Sequence, residues 1–138
     1  MIQRIQSVFL FLSSGALGSS FVFPFANSLD KSQLYFEDGL FNVHDNIILL
    51  SLIAISVILC LITIFLYNNR KLQLNFCVLA FLLMGSIIGM LLYSLSQVSD
   101  FVLDFGIASP LLGLILTALA FIFIRKDEKL VKSMDRLR

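Results

Sequence analysis

Charge is scarce in this sequence: Asp, Glu, Lys and Arg make up 14% of 138 residues, against 59% apolar. Soluble domains carry roughly a quarter charged residues, so this composition suits a hydrocarbon solvent. Mean hydropathy is +0.97. Histidine occurs once, at His44, and cysteine twice, at Cys60 and Cys77. One histidine beside one carboxylate, Asp45, falls short of the four ligands that a structural metal site takes. Both cysteines lie inside apolar runs, where free cysteine behaves as a small buried hydrophobe rather than half of a disulfide or metal pair. There is no Gly-rich phosphate loop, and the short polar segments leave no room for a nucleotide domain.

The most informative absence lies within the apolar runs. Four stretches contain no Asp, Glu, Lys, Arg or His: Ile5–Phe25, Ile47–Tyr67, Leu74–Leu95 and Phe105–Ile124. Proton and ion relays need ionisable groups inside the membrane, and none is there. Intramembrane hydrolysis needs a base, an acid pair or a histidine cluster, yet Ser51, Ser56 and Ser86 have no histidine or lysine to activate them. These gaps argue against an enzyme or an ion-coupled transporter acting alone. No catalytic, cofactor-binding or metal-ligating residue is expected.

What is present predicts an all-α membrane protein. Each run approaches the roughly 20 residues that a helix rising about 1.5 Å per residue needs to cross a hydrocarbon core of about 30 Å. Lipid offers no hydrogen bonds to the backbone, so helix is the form expected. The expectation is a single domain over 1–138, a bundle of four transmembrane helices. The first run has some look of a signal peptide, but its apolar stretch continues through Phe25 and reads as a retained helix. In the fourth, Pro110 either follows a Ser109 cap or sits in a helix that starts near Asp104 and bends, and length favours the earlier start.

Nine of the ten basic residues fall on one side of these spans, with Lys31 alone on the other beside Asp30, Glu37, Asp38, Asp45, Asp100 and Asp104. By the positive-inside rule the basic side is cytoplasmic, placing both termini there. The outer loop 26–46 holds two strand-like arms, Gln33–Glu37 and Leu40–His44, around Asp38-Gly39, which predicts a short β-hairpin over the bundle. It reads as a structured connector or as a docking site. Asp104 and Asp100 are solvated loop acids or caps of the fourth helix, with a cation pair as the alternative. The tail 125–138 continues helix four, with Leu130, Val131, Met134 and Leu137 on one side and basic residues suited to anionic lipid rather than nucleic acid.

Small residues recur at four-residue spacing: Gly85 with Gly89, Gly15 with Ser19, Ser14 with Gly18, and Gly113 with Thr117. Such steps let membrane helices approach closely, here for internal packing or, at Gly85 and Gly89, for a second subunit.

The two ends carry a resemblance. The Met1-Ile2-Gln3-Arg4-Ile5-Gln6 start, the Arg125-Lys126-Asp127-Glu128 run and the Asp135-Arg136-Leu137-Arg138 finish resemble a bacterial family of four-helix membrane proteins designated a domain of unknown function, DUF4293. The resemblance implies a bacterial inner-membrane location and brings no catalytic residue with it. It directs attention to the cytoplasmic face, to Arg4, Asp127, Glu128, Asp135 and Arg136. Pairing of Arg4 with Asp127 or Glu128 would tie the first helix to the base of the fourth; ordinary flanking polarity explains these residues equally well. The functional expectation is a non-catalytic accessory or scaffolding subunit whose partners are membrane lipid and a protein subunit or second copy. The alternative is a carrier or channel for a lipid-like or small apolar or zwitterionic molecule, using Thr63, Ser86, Tyr93 and Thr117 as its polar groups.

Overall fold

A computed structural model describes residues 5–28, 39–98 and 101–135, apart from the side chains of Lys132, Met134 and Asp135. Its helices are α1 (Ile5–Ser19), α2 (Ile47–Phe65), α3 (Arg70–Ser96) and α4 (Ala108–Asp135). Helix α1 packs on α2 and α4, and α3 packs on the same two. Three segments are long and apolar enough to cross a membrane: Ile47–Asn68, Arg70–Ser96 and Phe105–Val131.

The first apolar run behaves differently from the expectation. Among the described residues helix α1 covers Ile5–Ser19, 15 residues and about 22 Å at 1.5 Å per residue, and it ends before the expected Phe25. Its end is written in the sequence around it. Ser19 turns its hydroxyl back onto the Ala16 carbonyl at 2.6 Å, and Pro24 disfavours helical geometry at Phe23. The chain makes one further turn, closed by Phe23 N donating to Ser19 O at 3.0 Å, and then extends into a strand.

That strand, β1 (Ala26–Asn27), is the centre of a small antiparallel sheet between β2 (Leu40–Phe41) and β3 (Val102–Leu103). Ala26 lies opposite Phe41 on one side and Leu103 on the other. Of the expected hairpin only the second arm falls among the described residues. Its first arm, Gln33–Glu37, and Asp38 lie outside the described residues. Its second arm is a strand only over Leu40–Phe41, pairs with β1, and gives way to a 3₁₀ turn at Val43–Asp45. Gly39 does adopt the positive φ expected of it, at 79°.

Caps set the remaining boundaries. Asn46 accepts from Ile48 N at 3.0 Å and Leu49 N at 3.4 Å to open α2, and Asn69 accepts from Leu72 N at 3.4 Å to open α3. Asp104 opens the last segment, accepting from Phe105 N at 2.7 Å. A 3₁₀ turn, Phe105–Ile107, follows and α4 takes over at Ala108. Pro110 thus stands in the first α-turn, where its missing N–H is harmless. The helix continues into the tail as far as Asp135.

Three core layers stack along the bundle. At the acidic end Phe25, Phe41, Leu49, Ile53, Ile87, Leu91 and Leu95 pack under the sheet. Leu17, Cys60, Ala80 and Met84 form the middle, and Leu10, Cys77, Ala120 and Ile124 the layer nearest the basic end.

Candidate functional site

Three features bear on function, beginning with the outer face of α3. Gly85 and Gly89 are exposed, and a Cβ on either would meet no atom within 4 Å. Ser86 between them is exposed as well, its hydroxyl turned onto Leu83 O at 2.8 Å. Internal packing is therefore not what these glycines do. Gly15 and Gly18 also have open space where a Cβ would stand. Gly113 is different, since its Cβ would lie 3.2 Å from Leu17 Cγ and 3.6 Å from Met84 Sδ, so α1 and α3 both press on it. The tightest approach is at Gly106, which spacing did not single out. A Cβ there would fall on the Pro24 carbonyl oxygen and 2.6 Å from that of Phe23.

The second feature is a seam of hydroxyl and sulfur groups through the middle layer. Ser13 Oγ lies 2.8 Å from Thr117 Oγ1 and donates to Gly113 O at 3.0 Å. Thr117 Oγ1 also lies 3.4 Å from Met84 Sδ, and Cys77 Sγ lies 3.5 Å from Thr117 O. Cys60 and Cys77 are buried free thiols. This seam satisfies its members against one another, which is what membrane-buried polar groups require. Its bonds join α1 to α4 at Ser13 and α3 to α4 at Cys77. The polar groups expected of a carrier do not gather. Thr63 and Thr117 are buried in different layers, whereas Ser86 and Tyr93 face outward.

The third feature is the basic end, with Arg70 and Lys71 at the start of α3 and Arg125 and Lys126 within α4. Arg70 Nη1 donates to the Asp127 carbonyl at 3.0 Å, tying α3 to α4. Gln73 Nε2 donates to Thr63 O at 3.2 Å, tying α3 to α2. Gln6 and Gln73 are buried, and Asp127 is 9% exposed. Arg4 and Arg136 lie outside the described residues, as does the Asp135 side chain, so the tie observed at Asp127 comes from Arg70. Glu128 is half-buried beside it. Leu130 and Val131 of the tail are exposed. Between α3 and α4, one to two turns above this end, a half-open apolar groove of about 350 Å³ is lined by Cys77, Val78, Phe81, Ala118, Phe121 and Ile122.

The acids of the other end act as caps. Asp104 accepts from Asn27 Nδ2 at 3.1 Å besides capping its turn, and Asp45 accepts from Asn42 N at 2.6 Å. His44 is exposed with its ring 6.3 Å from that of Phe21. Asp100 lies outside the described residues. Among the described residues no three His, Cys, Asp or Glu side chains gather as metal ligands.

A family model described as Domain of unknown function (DUF4293) matches residues 2–137. The chain belongs to this family. The match runs through both of the end motifs and all four helices, so every feature described above falls within the shared DUF4293 region. No curated protein and no solved structure matches the chain.

Proposed function

We propose that this DUF4293 chain is a non-catalytic membrane protein acting as an accessory or scaffolding subunit, with α3 as the face that receives a partner helix. In this reading it sits in a bacterial inner membrane with the basic end and both termini in the cytoplasm. The observation that carries it is the outward position of Gly85 and Gly89. Glycine inside a helix costs about 1 kcal/mol relative to alanine, so a pair of them on an open face wants a compensating contact. In lipid, that contact is the close approach of another helix over the small-residue step. The partner is a second protein subunit or another copy.

A chromosomally tagged copy extracted in mild detergent tests this. The expected result is a stoichiometric protein partner or a dimer, weakened about tenfold or more by the double substitution Gly85→Leu and Gly89→Leu. Ile62→Ala on the exposed side of α2 should leave the association intact. Monomer alone from the wild-type chain contradicts the proposal.

The second reading, a carrier for a lipid-like molecule, draws support from the lateral α3/α4 groove. Transport would need a path through the bundle, and the three core layers fill its interior with side chains.

A further inference from the structure

Three buried oxygens at the basic end have no partner among the described residues: Gln6 Oε1 on α1, Gln73 Oε1 on α3 and Asp127 Oδ2 on α4. Their residues are only 4%, 0% and 9% exposed. Gln6 lies four residues from Leu10, Gln73 four from Cys77 and Asp127 three from Ile124, and those three apolar residues pack in one layer. Residues three or four apart share a helix face. The three residues therefore lie at one level just beyond that layer, towards the basic end.

All three oxygens are acceptors, and what they lack among the described residues is donors. The bond from Gln73 Nε2 to Thr63 O fixes that amide's orientation and leaves its Oε1 as the open position. Buried acceptors without donors are costly. A primary ammonium supplies three N–H donors and one positive charge, matching two carboxamide oxygens and one carboxylate. A divalent cation is a poorer match, since it draws six or more oxygens and usually several carboxylates.

The level in the bundle says what would bring such a group. Gln73 and Asp127 share their turns with Arg70, Lys71, Arg125 and Lys126, the depth at which headgroups sit. Arg70 stands beside Asp127, and a guanidinium is a strong phosphate partner. The apolar groove opens between the same two helices, with Cys77, one turn above Gln73, in its wall. Acceptors, guanidinium and groove follow the order of amine, phosphate and acyl chain.

We infer that the basic end binds one phosphatidylethanolamine-type phospholipid, its ammonium against Gln6, Gln73 and Asp127, its phosphate against Arg70 and an acyl chain in the α3/α4 groove. The site rests on embedding in a membrane and is independent of helix docking on α3.

The test is native mass spectrometry of the full chain in detergent, titrated with dioleoyl phosphatidylethanolamine, phosphatidylcholine or phosphatidylglycerol. Phosphatidylcholine is the decisive control, because its trimethylammonium has the charge and no N–H. Phosphatidylethanolamine should bind about tenfold tighter than either. Asp127→Asn should bring it down to the phosphatidylcholine level, and Ala118→Leu, which fills the groove, should weaken both lipids together. If Asp127→Asn aggregates on gel filtration, Gln6→Leu is read in its place with the same expectation. Equal binding of the two lipids by the wild-type chain overturns the site, as does a preference that survives both Asp127→Asn and Gln6→Leu. So does loss of that preference in sodium chloride with direct sodium adducts, which would assign the acceptors to an inorganic cation.

Discussion

Phe41→Ala is expected to destabilise the folded bundle by about 3–5 kcal/mol, the cost of emptying a large buried aromatic site. Phe41 is 1% exposed, and its ring lies 5.8 Å from that of Phe25 at a tilt of 55°. Beneath it lie Leu49 and Ile53 from α2 and Ile87 and Leu91 from α3. The residue also belongs to β2, so its ring anchors a strand that could not persist alone; two-residue strands have too few ladder bonds for that. Truncation therefore removes the core contact and loosens the sheet at once. Denaturant titration in detergent, followed by circular dichroism, reads the effect. Phe105→Ala is the control: Phe105 is 84% exposed, and its loss should register within about 0.5 kcal/mol.

Gly106→Ala should cost nearly as much, about 3 kcal/mol, although it adds a single methyl group. The methyl would press on the Pro24 and Phe23 carbonyls, which belong to the backbone and have no rotamer to yield. It would also strain the bond from Gly106 N to Pro24 O, 3.0 Å long, and the contact between the Ser20 and Ser109 hydroxyls across the same junction. This junction joins the end of α1 to the start of α4, so the melting temperature should fall. The contrasting substitution is Gly15→Ala, where a Cβ meets open space. There the change should be neutral or stabilising by up to about 1 kcal/mol. A result in which both alanines behave alike would contradict the packing described.

These two sites show where the sequence was legible and where it was not. The helices were readable because an uncharged run of about 20 residues has one solution in lipid. Their caps were readable at Asp104, whose side chain needs only a neighbouring N–H. The far bound of the first run was not readable because hydropathy does not register where a helix stops. Helix α1 ends at Ser19, ahead of Pro24, and of the apolar residues beyond, Phe25 packs in the core and Ala26 opens a strand. Local turn chemistry at Asp38-Gly39 gave no sign that Leu40–Phe41 pairs with Ala26–Asn27, which in turn pairs with Val102–Leu103. Pairing across such separations leaves no local signal. Glycine spacing identified Gly113 and Gly89 alike, yet one is buried against Leu17 and the other opens outward. Only the rotation of each helix about its axis separates them, and a four-residue repeat does not carry that information. Gln6, Gln73 and Asp127 escaped notice for the same reason: their positions on three helices acquire meaning once the helices are in register.

The outward face of α3 is the centre of this account, and a photo-crosslinker at Leu92 examines it in the native membrane. Leu92 lies three residues beyond Gly89, is 59% exposed and borders the small-residue face without filling it. The same crosslinker at Ile58 on α2, 56% exposed, samples open lipid. A discrete protein adduct, heavier than the 15.5 kDa chain, is expected from Leu92 and none from Ile58, with its loss in the Gly85→Leu, Gly89→Leu background. Lipid adducts alone from both positions would contradict it.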